Sequence, residues 1–437
     1  MNRTSKRFPF LQAALFGGAV ATTVTLTLFG PGLSRSVRAA LQDSPKTVVD
    51  EAWQIVNREY VDGTFNQVDW QAVRQSLLSK NYTTREQAYV ALKAALEKLG
   101  DPYTRFMDPK QYEALSNQTA GELSGVGIRL EVDGKSKILT VVEPIDNSPA
   151  AKAGIKPGDQ ILAIDGKPTF GLSVEDASNL IRGEVGTKVT LRIMRSGEDI
   201  NQILMRERIE LPTVRYSLNQ EGNVRVGYIR LSEFSSHAAE QMQRAIQNLK
   251  SQNAEAFVLD LRGNPGGLLQ ASVEITRMWL ETGTIVRTVD RRGNNEEIST
   301  NRTALTDLPL AILVDGNSAS SSEILTGALK DNNRAAVVGT QTFGKALVQS
   351  VHELSDGSGL AVTIAHYYTP NGTDISHKGI APDVKVELTE AQRQTLSTNP
   401  KLIGTKEDPQ YAQAISVLEQ PAVLKPSGPK PAKSASN

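Results

Sequence analysis

The 437-residue chain is 39% hydrophobic and carries 48 basic against 48 acidic residues, with no cysteine and four histidines. Such a length suggests two or three domains with a packed core, and the balanced charge argues against nucleic acid as a partner. Without cysteine there is no disulfide or thiolate chemistry, and His237, His352, His366 and His377 form neither an HExxH nor a close pair, so no metal or other cofactor is expected.

Arg3, Lys6 and Arg7 precede an uncharged run, Phe8 to Phe29, which Pro31-Gly32 breaks. Val37-Arg38-Ala39 then resembles a small-x-small cleavage signal. Residues 1–39 read as a secretory signal peptide or, from the length of the run, a retained membrane anchor. Either address places the rest of the chain outside the cytoplasm, in a periplasm or lumen, with membrane association as one option. Helices are predicted over 47–61, 69–79 and 84–99. In the last, Ala88, Leu92, Ala95, Leu96 and Leu99 recur at helical spacing, and Gly100 stops it. These helices make an N-terminal helical subdomain over 40–110.

Short strands and glycine turns follow. Val126–Val132, Ile138–Val142, Gln160–Ile164 and Lys188–Met194 read as strands, and Asn147–Gly154 and Ser173–Ile181 as short helices. Together they form a small β-rich module over 111–208. From 209 to 420 apolar strands at Val224–Leu231, Ala256–Leu261, Leu310–Val314 and Ala335–Val338 alternate with helices at 237–250, 266–280 and 319–330. That alternation indicates an α/β core, so the fold class is mixed, α/β with α+β parts. A helix near 407–419 closes the core, and 421–437, rich in Pro, Lys and Ser, is expected to be disordered.

The densest polar signal is Asn317-Ser318-Ala319-Ser320-Ser321-Ser322-Glu323, between an apolar strand and a helix. A hydroxyl at such a junction sits where helix N–H groups and the dipole favour negative charge, as an attacking alkoxide and an oxyanion both require. Serines there are also good N-caps, but capping needs one and the cluster holds four. The base is open at this level. Gly316–Ser320 misses the GxSxG elbow at its last residue, while His352 and His366 lie downstream. Lys345, set among Phe343, Leu347 and Val348, is the other candidate. Burial lowers a lysine's pKa, and bringing it from about 10.4 to near 7 costs about 4–5 kcal/mol of differential solvation. Gly339–Lys345 also matches GxxxxGK, but Ala346 stands where a P-loop needs Ser or Thr, and a strand-like run follows in place of a helix. Asp260 to Gly267 forms a strand–helix turn whose two adjacent glycines let backbone N–H groups face a ligand.

Taken together these segments resemble the carboxyl-terminal processing peptidases, or tail-specific proteases, with a Ser/Lys dyad. The resemblance spans roughly 47–420 and rests on several motifs in the family's order: Leu99 to Phe106, Ser318 to Ile324 and Phe343 to Gln349. It implies that the nucleophile lies twenty-five residues before the lysine, which selects Ser320. It further implies Lys345 as base, Gln349 as the residue orienting it, and the N–H groups of Gly266 and Ser321 as oxyanion donors, with Gly267 as an alternative. Glu323 and Asp331 match supporting acidic positions. Ser321 and Ala346 depart from the Ala and Gly of many relatives without removing a side-chain function. The cyanobacterial and chloroplast enzymes that trim the photosystem II D1 precursor are nearest in texture.

The module at 111–208 resembles a PDZ domain, with Gly125-Val126-Gly127-Ile128 as its carboxylate-binding loop and Arg182-Gly183 resembling a family element linked to coupling with the active site. The implied partners are proteins with exposed C-terminal tails, for a monomer or homodimer. Two rivals are an exported PDZ adaptor with an inactive protease core and a histidine-triad hydrolase.

Overall fold

The computed structural model describes residues 44–134 and 136–420, so the address segment expected over 1–39 and the tail expected over 421–437 lie outside the described residues. The described chain divides into two units, 44–116 with 214–420, and 117–213, against an expected module at 111–208. The three helices predicted first are all present. Helix α1 (Pro45–Glu59) begins at a proline, whose missing N–H is no loss in a first turn, and buries Val48, Val49, Ala52, Trp53 and Val56. The side chains of Asp69 and Thr84 cap α2 (Trp70–Ser79) and α3 (Arg85–Leu96). Gly100 adopts φ 68° and ends the turn after α3. Strand β1 (Arg105–Met107) and helix α4 (Pro109–Ala120) follow; α4 buries no residue and so carries no apolar stripe to betray it in the sequence.

The unit at 117–213 is antiparallel. A ribbon of β2 (Glu122–Gly125) and β9 (Glu207–Glu210) accompanies a sheet in the order β3 (Ile128–Val132), β4 (Leu139–Pro144), β5 (Gln160–Ile164), β7 (Lys188–Arg195), β8 (Glu198–Met205), with β6 (Lys167–Pro168) beside β5. Helices α5 (Pro149–Lys152) and α6 (Val174–Ile181) are the short helices expected. Val126, Ile161, Leu191, Ile193 and Leu204 form the centre of its core. Strand β8 is an edge with one buried residue, Leu204, which explains why its sequence does not read as a strand.

The remaining unit is built on a six-stranded sheet in the order β10 (Val214–Glu221), β11 (Val224–Leu231), β12 (Ala256–Asp260), β15 (Leu310–Val314), β16 (Ala336–Gly339), β19 (Val384–Lys385), parallel from β11 onward. Every residue of β12 and β15 is buried, because both faces are covered. Phe257 and Leu259 face α7 (Ala238–Ser251), α8 (Leu269–Trp279) and α9 (Ser321–Asp331), whereas Ala256 and Val258 face α11 (Pro409–Leu418), which follows α10 (Glu390–Thr398). The expected stripe of Met242, Ala245, Ile246 and Leu249 on α7 is wholly buried. A second sheet joins β13 (Thr284–Asp290), β14 (Asn295–Ser299), β17 (Leu347–Glu353) and β18 (Gly359–Tyr368) to β1. Leu360 and Val362 of β18 pack into the core of the N-terminal helices, so those helices are part of the same unit as the α/β core.

Arg262, just past β12, fastens α11 to the sheet. Its guanidinium donates to Asp260 at 2.6 Å and to Asp408 at 2.7 Å, and both carboxylates are fully buried. Tyr228 donates to Asp260 at 2.6 Å. Burial alone would raise the Asp260 carboxyl, but the Arg262 charge holds it below its ordinary value. Replacing Arg262 with Met should therefore cost about 3–5 kcal/mol, because two buried carboxylates lose their counter-charge. Urea denaturation at neutral pH checks this, and a loss below about 1 kcal/mol would show the network to be idle. The depressed Asp260 value adds a sign: its contribution is full above the unfolded-state carboxyl value and disappears as pH falls through the lower folded one.

Candidate active site

The four clustered serines differ in what their hydroxyls touch. Ser318 Oγ donates to the Leu261 carbonyl at 2.9 Å and accepts from the Asp315 N–H at 3.0 Å. Ser321 Oγ donates to the Gly267 carbonyl at 2.9 Å, and Ser322 Oγ to the Asn264 carbonyl at 3.0 Å. These three stitch the start of α9 to the turn after β12. Ser320 is half-buried, and its hydroxyl donates to no other group among the described residues. It occupies the N-cap of α9 with φ 54° and ψ −115°, a conformation that costs a residue with a Cβ about 1–3 kcal/mol.

Glu323 holds that conformation. Its carboxylate is fully buried and takes four donors. Oε2 accepts from the N–H of Ser320 at 2.9 Å and of Lys345 at 2.9 Å, while Oε1 accepts from Thr342 Oγ1 at 2.6 Å and the Gly344 N–H at 2.7 Å. One carboxylate thus ties the backbone of Ser320 to that of Lys345. Tyr367, on β18, reinforces the tie: its hydroxyl donates to the carbonyls of Ser320, at 3.2 Å, and of Lys345. Burial raises the Tyr367 hydroxyl well above its ordinary pKa, and the Glu323 charge adds to this, so it remains a donor.

The Lys345 side chain is half-buried. Its Nζ donates to Gln349 Oε1 at 3.1 Å and lies 4.5 Å from the centre of the Tyr103 ring. Gln349 Nε2 in turn donates to the Tyr103 carbonyl at 2.7 Å, and a bulge between Val348 and Gln349 sets the strand's local register. Burial lowers the Lys345 pKa; the nearby Arg105 charge lowers it further and the Asp101 charge opposes both. Asp101 also organises this wall, accepting from the Tyr103 N–H at 2.9 Å, Thr104 Oγ1 at 2.7 Å and Thr363 Oγ1 at 2.7 Å. Ser320 Oγ and Lys345 Nζ are not hydrogen-bonded to each other in this structure.

The glycine turn is brought against the same point. A Cβ on Gly266 would stand 2.9 Å from Ser320 Cβ and 3.0 Å from the Ser321 nitrogen, and one on Gly267 would stand 2.4 Å from the Phe234 carbonyl oxygen. Only glycine fits either place. The expected donor role of Gly266 meets a competitor: its N–H donates to Asn264 Oδ1 at 2.9 Å. The N–H groups of Gly267 and Ser321 have no acceptor among the described residues, which leaves them as the pair free to face an oxyanion.

Other expected residues fall elsewhere. Asp331 is at the far end of α9, about 16 Å from Ser320 at 1.5 Å per residue, where it accepts from the Asn371 N–H. His352 pairs with Glu59 at 2.7 Å, and His366 is exposed on the face of β18 opposite Tyr367, so neither histidine is placed against Ser320. The GxxxxGK turn cannot cradle phosphate, because the N–H groups of Phe343, Gly344 and Lys345 are spent on the Ser318 carbonyl and Glu323. In the 117–213 unit, Val126 and Gly127 keep N–H groups without an acceptor among the described residues, between Gly125 at the end of β2 and Ile128 at the start of β3. Tyr103, Asp101, Arg105 and Tyr367 were not singled out as site residues; the run Asp101-Pro102-Tyr103-Thr104-Arg105 was the available signal for three of them.

Residues 225–386 match the sequence profile of peptidase family S41, and residues 140–195 match that of a PDZ domain. The chain is 41% identical over 421 residues to the carboxyl-terminal-processing protease of Synechocystis sp., covering 96% of this chain and 95% of that one. It is 42% identical over 346 residues to the chloroplastic carboxyl-terminal-processing peptidase 2 of Arabidopsis thaliana, covering 76% and 67%. Among solved structures, a photosystem II D1 C-terminal processing protease aligns with a TM-score of 0.54 and 35% identity over 84% of this chain and 99% of that one.

The Glu323 arrangement carries its own test. Glu323→Ala should destabilise the fold by at least about 3 kcal/mol, since four buried or half-buried donors lose their acceptor. Amide exchange at Ser320, Gly344 and Lys345 should accelerate more than exchange in α7. Uniform acceleration across both regions would contradict a local staple.

Proposed function

The chain belongs to peptidase family S41, among its carboxyl-terminal-processing proteases, and from that premise we propose that Ser320 and Lys345 form the catalytic dyad of an endopeptidase acting on exported proteins near their C-termini. It is a serine peptidase with a PDZ domain, and its partners are protein substrates. One observation carries the residue assignment. Ser320 alone of the clustered serines keeps a hydroxyl that donates to nothing among the described residues, and a single buried carboxylate ties its backbone to that of a lysine whose pKa is lowered.

In this reading neutral Lys345 takes the proton of Ser320 Oγ as the oxygen attacks the scissile carbonyl. The N–H groups of Gly267 and Ser321 receive the oxyanion. As the tetrahedral species collapses, the C–N bond breaks and the lysine ammonium returns its proton to the leaving amine. Water, deprotonated by the same lysine, then attacks the ester and frees Ser320. Gln349 and Tyr103 position the amine between these steps. The serine–lysine contact, absent in this structure, forms when substrate is bound, as catalytic hydrogen bonds commonly tighten in the complex.

The Gly125–Ile128 loop would hold the substrate's terminal carboxylate on the free N–H groups of Val126 and Gly127, with the tail adding along β3. The solved neighbour's name points to a D1-type precursor as the substrate, and chloroplast and cyanobacterial relatives point to the thylakoid lumen or periplasm. Among the described residues no helix is long and apolar enough to cross a membrane. The alternative of a PDZ adaptor with an inactive core has no observation in its favour, since the relatives are named as proteases.

Ser320→Ala and Lys345→Ala should each lower cleavage of a tail peptide by about a thousandfold or more with an unchanged melting temperature. Joint replacement of His352 and His366 by Ala should leave the chemical step intact. Retained turnover in Lys345→Ala would end the dyad assignment. Because only the neutral amine accepts a proton, activity should rise with pH through the Lys345 value, which lies below that of a free lysine. Arg105→Gln removes a charge that lowers that value, so the pH–rate profile should move to higher pH; a move to lower pH would contradict the electrostatic account.

A further inference from the structure

The carboxyl ends of the parallel strands β11, β12, β15 and β16 open on a second cleft of about 360 Å³, lined on one side by the turns after those strands and on the other by the segment around α10. That position is where open α/β sheets bind ligands, and the volume lies within the usual range of roughly 300–1,000 Å³ for small-molecule pockets. Its lining is chemically divided. Arg230 and Arg393 supply cationic groups, Asn317 a side-chain amide, and Leu388, Leu396 and Ile403 an apolar wall.

These cations are available to a ligand to different degrees. Arg262, which also reaches the cleft, is saturated by Asp260 and Asp408. Asp315 Oδ1 accepts from the N–H groups of Gly263 and Asn317, both at 3.0 Å, and lies 3.3 Å from Ser318 Oγ, whereas Oδ2 has no hydrogen-bond partner among the described residues, so this carboxylate faces the cleft with one oxygen open. Arg230, at the end of β11, is half-buried; its guanidinium makes no hydrogen bond or close ion pair among the described residues and interacts with the Asp260 carboxylate through charge alone, and the Asn317 side-chain amide has no hydrogen-bond partner there. Arg393 pairs with Glu390 at 3.2 Å, with both side chains solvent-exposed, and its charge also acts on Glu387; such exposed pairs are easily exchanged. A half-buried guanidinium whose N–H groups donate no hydrogen bond, beside a loosely engaged one and an aliphatic wall, matches a small apolar group carrying a carboxylate.

We propose that this cleft binds an aliphatic carboxylate of the size of a peptide's C-terminal residue, with its oxygens on Arg230, Arg393 and the Asn317 amide and its side chain against Leu388, Leu396 and Ile403. Ser320 and Lys345 are not among its lining residues, and Asp315, Gly316 and Asn317, which are, belong to the turn that leads into Ser320.

Isothermal titration of the full chain with N-acetylalanine, N-acetylalanine amide and inorganic phosphate tests this without reference to proteolysis. The carboxylate should bind saturably, the amide should not, and phosphate should bind more weakly because it leaves the apolar wall uncovered. Arg230→Gln should weaken the carboxylate component by at least about tenfold, from the loss of a charge-assisted hydrogen bond, and Arg393→Gln by less. Thermal melts of both variants establish that they fold, and Arg393→Gln, on the surface, provides the test should Arg230→Gln not fold. Carboxylate binding that is equal in the wild type and both variants would overturn the proposal, as would equal binding of the amide. Phosphate binding with no carboxylate binding would replace it with an inorganic-anion site.

Discussion

A single buried carboxylate, that of Glu323, determines the geometry of everything around the candidate dyad. It accepts four hydrogen bonds from two separate chain segments, the N-cap of α9 and the loop Thr342–Lys345. Neither segment would hold its shape alone. Ser320 sits at positive φ, which its Cβ disfavours, and the loop runs between two strands with its N–H groups turned inward. Burying a carboxylate is costly unless it is fully hydrogen-bonded, and here the four donors supply that compensation. The same bonds that make the charge tolerable set the distance between a serine and a lysine.

Around this staple the site is assembled from three directions. The α/β sheet contributes two crossover turns at the carboxyl ends of β12 and β15, and the hydroxyls of Ser318, Ser321 and Ser322 bind those turns together. The second sheet contributes β17 with Gln349 and β18 with Tyr367. The N-terminal segment contributes Asp101, Tyr103 and Arg105 through β1, which pairs with β18. The helices at 45–96 therefore do more than add a subdomain. Their core includes Leu360 and Val362 of β18, so their packing is coupled to the strand that carries Tyr367.

The lysine illustrates how opposing effects are weighed. Burial and Arg105 depress its pKa, whereas Asp101 and the face of the Tyr103 ring favour the charged form. The balance is on the side of depression, which is the direction the proposed role of accepting and returning a proton needs. Gln349 accepts a hydrogen bond from the amine while its own amide is held by the Tyr103 carbonyl, so the orientation of Nζ is set through two consecutive hydrogen bonds.

Local features of the chain were enough to place most helices, the buried strands β12 and β15, the strand–helix junction holding the serines, and the glycine turn, because burial on two faces, helical spacing and turn chemistry are written in neighbouring residues. Resemblance, and not physics, distinguished Ser320 and Lys345 from their neighbours at that level. Tertiary structure added a physical difference among the serines. Three serine hydroxyls are consumed by carbonyls up to 58 residues away, and the Gly266 N–H is consumed by Asn264. It also brought in Tyr103, 242 positions before Lys345, and Tyr367, whose roles come from contact across sheets. Hydrogen-bond partners between remote segments leave no periodic trace in a sequence, so which hydroxyl is free and which N–H is free was decided only by the fold.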